Sequence, residues 1–322
     1  MKTKLHLLST LLLLSSPAAR SAVTFTFDYS DPSAADVPAA ARAALDVAGA
    51  NMAAFLVNYN ANVVIAIEAY SDPDDYSLAY VTPAIGASSP GFGNRTAVAA
   101  LIQSNGATDP TGAAPDGIIT INIGDWWDYS TGSVGDPTRY HFVSSAMHEL
   151  GHHLGFVNST FAADGSSALV ALGLSSDPTA FLPMDRFMVN GSGQPVITPF
   201  LTVDHAVWDA ASVGGPGTVP ATPNSGLYYN GPNGMAANGG QMIPFWSPAV
   251  FEQGSTNEHL GSYFQGAMMF PYADFGEVQL NLHPVEIGIF KDLGYALIVP
   301  EPGSALLVLC GLGLVLRRRR AT

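Results

Sequence analysis

The stretch "MHELGHHLGFVNS", Met147–Ser159, decides how the rest of the chain is read. It contains His148-Glu149-x-x-His152. On a helix, residues four apart lie one turn apart on one face, so both imidazoles can reach one ion at about 2.0–2.1 Å. At about 100° per residue, Val143, Ala146, Met147, Leu150 and Leu154 gather on one face. His141, Ser145, His148 and His152 gather opposite them, with Glu149 at the flank. The apolar face is expected to pack on a sheet while the histidine face looks into a cleft. Zinc held there lowers the pKa of its water towards about 7, and Glu149 is the candidate base that takes the proton for attack on a peptide carbonyl. Random placement of 8 His and 7 Glu in 322 residues yields about 0.004 such patterns, so the match points to chemistry when its context agrees. The context does agree: the strand-like "DGIITINIG" (116–124) comes before the motif, and Gly155 stands where a helix would stop.

Two ligands do not complete a catalytic zinc site, which takes three plus water. In the longest form of the motif the third histidine falls where this chain has Asn158, and a neutral amide ligates zinc poorly. His153 lies on the wrong side of the helix, and His283 begins a helix where it is expected to cap or pack. That leaves two distant candidates, His205 in "TVDHAVWDA" and His259 in "STNEHLGSYFQGAMMFP". A serine hydrolase is excluded, because no Gly-x-Ser-x-Gly pattern surrounds Ser144 or Ser145.

Charged residues make up only 12% of the chain and hydrophobic ones 48%, which favours a packed core over disorder. The formal net charge is −14, and the ends mask a larger imbalance. Residues 22–300 carry 25 acids against 5 bases, a net of −20. A body this acidic argues against nucleic acid and anionic membrane as its partners. Acidity alone would also suit bound Ca2+, but no acidic loop matches a calcium-binding pattern.

Both termini carry address signals. Lys2 and Lys4 precede the apolar "LHLLSTLLLLSS", too short to span a bilayer, and small residues follow near Ser21 and Ala22. Residues 1–21 therefore read as a signal peptide, removed by signal peptidase. The sole cysteine, Cys310, lies in the apolar tail, so the exported body has no disulfides and relies on packing, metal, or both. The tail "VPEPGSALLVLCGLGLVLRRRR" places Pro-Glu-Pro before a short apolar run and four arginines. It closely resembles the PEP-CTERM sorting signal read by exosortases in Gram-negative bacteria. That resemblance implies transient membrane anchoring through residues 299–322, processing near Pro300–Pro302, and release or display at the cell surface.

Between the ends, "VTFTFDYS", "ANVVIAIEAYS" and "SLAYVTPAI" read as strands. Ala34–Tyr59 reads as an alanine-rich helix with Pro38 near its start, and 94–104 as a short helix with Asn94 as N-cap. Residues 211–241, rich in Gly, Pro and Asn, read as a surface loop. "HPVEIGIFKDLGYAL" reads as a final helix with Pro284 in its first turn.

The order "HELGHHLGF", long insertion, histidine, methionine before x-Pro, and a helix ending "DLGY" resembles the leishmanolysin-type metzincins. The resemblance runs from about Phe142 to Leu297, with specific motifs at its two ends, and "FLPMDRFMV" resembles the opening of the insertion in bacterial relatives. It implies one catalytic zinc, His259 as the third ligand after His148 and His152, and Met269 as a methionine turn beneath the metal. Leu260 stands where the family usually has tryptophan, and the body lacks the family's disulfides. With no cysteine available, a cysteine-switch propeptide is excluded. Tyr272 is close enough in sequence to act as a transition-state donor.

The expected fold is α+β and metzincin-like. Residues 22–157 form a mixed sheet with two long helices, one of them the motif helix. Residues 158–298 form an irregular lobe with the third ligand, the methionine turn and the final helix. The expected function is a secreted or surface-displayed zinc endopeptidase acting on protein or peptide substrates. The alternative is a non-catalytic surface or matrix protein that keeps a metal-stabilised scaffold.

Overall fold

The computed structural model describes residues 22–75, 77–86, 88–159, 169, 175–215 and 226–297. The expected signal peptide (1–21) and sorting segment (299–322) lie outside these residues. Among the described residues, no helix is long and apolar enough to cross a membrane.

Alternating Val, Phe and Thr form strand β1, Val23–Asp28. Helix α1, Ala39–Phe55, returns the chain to β2, Ala61–Tyr70, which pairs with β1 in parallel. Strand β3, Ala79–Pro83, and helix α2, Ala97–Gln103, precede β4, Gly117–Asn122. β4 inserts between β2 and β3, parallel to the first and antiparallel to the second. The result is an α+β fold on a mixed sheet of order β1-β2-β4-β3, with β3 at the edge. Ala41, Ala44, Leu45, Ala48 and Met52 recur at helical spacing along α1 and are fully buried. They share one core with Val63, Ile65 and Ile67 of β2.

A short parallel pair, β5 (Trp127–Asp128) and β6 (Tyr140–His141), leads into helix α3, Phe142–His153. His141 is the N-cap of α3, its Nδ1 facing the Ser144 hydroxyl at 2.8 Å. Val143, Met147, Leu150 and Leu154 are buried, and α3 packs against α1 and β3. His153 is buried on the sheet side, over Gly117, and donates from Nε2 to the Ile118 carbonyl at 3.2 Å.

Three local expectations are corrected. The helix read over Ala34–Tyr59 is split: Pro32–Asp36 is a 3-10 turn, Val37 is extended, and α1 starts after Pro38 and ends at Phe55. The residue before a proline is pushed out of the helical region, which places the break at Val37. Asn94 does not cap α2. Thr96 does, accepting from the Ala99 N–H at 3.1 Å and donating to the His153 carbonyl at 2.6 Å. Asn94 instead ties the loop before α2 to the Ser89, Gly91 and Phe181 carbonyls.

Residues 211–241, of which 216–225 lie outside the described residues, are not all loop. Helix α4, His205–Ala211, ends where they begin, and β8, Leu227–Tyr229, and helix α5, Pro232–Ala237, lie within them. Pro232 occupies the first turn of α5, where a missing N–H costs nothing, so it starts a helix instead of breaking one. The Asp292 carboxylate accepts from the Asn233 and Gly234 N–H groups at 2.9 Å each, which caps α5 from helix α6, Pro284–Asp292. β8 lies between β7 (Met188–Asn190) and β9 (Ile243–Pro244) in an antiparallel sheet. Phe156 stacks on Phe245 (5.8 Å) and Phe245 on Tyr229 (5.9 Å), which joins the end of α3 to this sheet. Each such aromatic pair adds about 0.5–1.5 kcal/mol beyond its burial.

Candidate metal centre

The end of α3 is built by its glycine. Gly155 has φ +101°, which L side chains rarely adopt. Its N–H bonds the His152 carbonyl at 2.9 Å, and the Phe156 N–H bonds the Gly151 carbonyl at 3.2 Å. This is a Schellman closure. It folds Phe156 back so that its carbonyl accepts from His152 Nδ1 at 2.7 Å.

His259 returns to this helix through strand-like pairing with the segment after β9. Asn257 N–H donates to the Trp246 carbonyl and Trp246 N–H to the His259 carbonyl, both at 2.8 Å. Leu260 N–H then bonds the Met269 carbonyl at 2.9 Å. Asn158, at the place of the absent histidine, is fully buried. Its amide pairs with Asn257: Asn158 Nδ2 donates to the Asn257 carbonyl, and Asn257 Nδ2 to Asn158 Oδ1 at 3.2 Å. Asn158 thus clamps the returning chain two residues before His259.

The result is a cluster of three imidazoles. His148 Nε2 lies 3.0 Å from His152 Nε2 and 3.0 Å from His259 Nε2, and the last two are 3.2 Å apart. Each Nδ1 faces a backbone carbonyl: Met268 for His148 at 2.6 Å, Phe156 for His152 at 2.7 Å, and Ser255 for His259 at 3.0 Å. A carbonyl can only accept, so all three protons sit on Nδ1, and three bare Nε2 lone pairs converge. Burial pushes His148 down to about 4, burial and His148 push His259 to about 3, and His152 falls well below the ordinary value for the same reasons. The rings are therefore neutral at neutral pH. Tetrahedral ligands at about 2.0–2.1 Å stand about 3.4 Å apart, within a few tenths of an ångström of these separations. Three neutral donors aimed at one point repel one another without a cation and fit a metal ion with one.

The cluster opens on a cleft of about 980 Å³. Glu149 lines it, 6% exposed, and burial pushes its carboxyl up to about 8. A dication alongside acts in the opposite direction. β3 lines the same cleft.

Under the cluster, Met269 is fully buried against Gly151, where a Cβ would stand 2.5 Å from the Met269 Sδ. Gly151→Ala is expected to cost about 1–3 kcal/mol by overpacking. This will appear as a drop of several degrees in melting temperature; an unchanged value would show that the methionine yields freely. Glu286 is fully buried behind the turn, accepting from the Met269 N–H and the His283 N–H at 2.6 Å each. Burial pushes its carboxyl up to about 7, while the two N–H donors pull it down.

Comparison with protein-family models, with curated proteins and with solved structures finds no match to this chain. The geometry of the site therefore carries the functional argument.

Of the two distant histidine candidates, His259 joins the cluster, whereas His205 is exposed in the first turn of α4 and does not. His283 is the N-cap of α6. Tyr272 lines the cleft, but its hydroxyl donates to Glu252 at 2.9 Å, and Trp246 Nε1–H donates to the same oxygen at 3.0 Å. The sequence reading missed Asn257, Glu252 and Glu286. Only Glu286 left a signal, as the glutamate three residues after the cap in "HPVE".

Proposed function

We propose that this protein is an exported, zinc-dependent endopeptidase of the leishmanolysin-like, metzincin type. The observation that carries the reading is the convergence of three neutral Nε2 atoms within 3.2 Å beside a buried glutamate in one cleft. Zinc bound there supplies a Lewis acid for a carbonyl oxygen and lowers the pKa of water. His148, His152 and His259 hold it, each fixed in the required tautomer by its carbonyl partner. Glu149 accepts a proton from the attacking water and passes it to the leaving amine. Edge strand β3, unpaired on its outer side among the described residues, offers backbone groups to an extended peptide. Signal peptidase at the first end and an exosortase-type enzyme at the other would place the chain at the surface of a Gram-negative cell or outside it.

Among the described residues, the cleft is lined by five acidic residues, Asp75, Glu149, Glu252, Glu258 and Glu277, of which burial pushes Glu149 and Glu258 up to about 8, and by no lysine or arginine. Such a wall attracts cationic peptides and repels anionic ones. The purified protein should carry one zinc per chain and cleave casein, with activity lost to a chelator and restored by zinc. Lysine-rich peptides should be cut faster than glutamate-rich ones, by a ratio that shrinks as salt rises. Tight metal binding with no cleavage of any peptide would reject the peptidase and leave a metal-stabilised surface scaffold.

A further inference from the structure

We propose that Glu286 acts on the metal centre through the Met268–Met269 peptide group, as a positioning residue for His148. The inference rests on the metal-binding reading of the three histidines. The Met268 carbonyl and the Met269 N–H belong to one peptide unit. Glu286 Oε1 accepts from that N–H at 2.6 Å, and the carbonyl accepts from His148 Nδ1 at 2.6 Å. The array therefore runs carboxylate, peptide, imidazole, open Nε2. A histidine ligand commonly gives its second N–H to a carboxylate, which fixes the ring and raises its basicity. Here a peptide group stands between the two.

The charge is transmitted because an amide polarises as a unit. A carboxylate pulling on the N–H draws electron density onto the carbonyl oxygen, and hydrogen bonds in series strengthen one another at low dielectric. Glu286 is 0% exposed, so water does not screen it. Its second oxygen accepts from the His283 N–H at 2.6 Å, so both oxygens face donors and the carboxylate is the form that fits. The amino end of α6 favours the same form.

The other two ligands lack this backing. The peptide whose carbonyl holds His259 has the Thr256 N–H at its other end, and that donates to the neutral Glu252 carbonyl at 2.8 Å. Among the described residues, no carboxylate is seen behind the Phe156 carbonyl that holds His152. Glu286 thus singles out one of three otherwise similar ligands, from a helix more than a hundred residues downstream of α3.

The test uses the full chain and its Glu286→Gln variant. Zinc affinity, measured by competition with a chromogenic chelator, should fall about 10–100-fold in the variant. The visible bands of the cobalt-loaded protein should shift. In the metal-free wild type, the His148 Nδ1–H proton should resonate downfield of those of His152 and His259, and should move upfield in Glu286→Gln. A folded variant with wild-type zinc affinity and unchanged cobalt bands overturns the proposal. If Glu286→Gln does not fold, the wild-type spectrum decides: a His148 proton no further downfield than the other two overturns it. A wild type that binds no zinc rejects the metal centre instead, and the metal-free spectrum still reads the relay.

Discussion

Glu149→Ala is expected to remove peptide hydrolysis while leaving the metal in place. The loss should be on the order of 10³-fold or more in kcat, because general-base catalysis alone contributes about 10²–10⁴. The carboxylate lines the cleft but is not one of the three converging donors, so the ion keeps its ligands. Nor does the fold depend on it, since the packing face of α3 is Val143, Met147, Leu150 and Leu154. A buried carboxyl pushed up to about 8 costs stability, so the variant should melt no lower than the wild type. A quenched-peptide assay beside elemental analysis checks both halves. Wild-type turnover in the variant would reject Glu149 as the base, and a metal-free variant would make Glu149 a ligand.

His259→Ala carries the second large effect, on binding. Zinc affinity should fall by more than the roughly 10–100-fold that follows loss of an outer partner, because a donor itself is removed. Two imidazoles remain, one turn apart on α3, and two ligands do not hold a catalytic zinc. His205→Ala is the matched control: an exposed residue in the first turn of α4, outside the cluster, should leave metal content unchanged. Elemental analysis after dialysis against a weak chelator separates the two. Full zinc in His259→Ala would remove His259 from the ligand set and return the question to His205 and Asn158.

What could be read along the chain is what depends on neighbours a few residues apart. Helical spacing puts His148 and His152 on one face and the packing residues on the other. A glycine at 155 ends the helix because its φ of +101° suits little else. Alternating β-branched and aromatic residues mark the strands of the mixed sheet, and Pro284 marks the start of α6. Where local signals competed, the reading slipped by a few residues. Asn94 and Thr96 are both good caps, and tertiary contacts separate them: the Thr96 hydroxyl is held by the His153 carbonyl, and the Asn94 amide is taken up by the Ser89, Gly91 and Phe181 carbonyls. Pro232 resembles a breaker until Asp292 is seen capping the helix it begins.

The three-histidine cluster depends on contacts that no local pattern records. His259 is a neighbour of His148 because the Asn257, Trp246 and Leu260 N–H groups pair the returning chain beside β9 and Met269. Asn158, which sits where a longer motif would have its last histidine, clamps that return through Asn257, two residues before His259. Glu286 reaches His148 through a single peptide plane, a relation fixed by two hydrogen bonds of 2.6 Å and complete burial. Backbone hydrogen bonds between distant segments form with almost any side chains. The chain therefore announces the helix that offers two histidines, and the packing of its second half brings the third beside them.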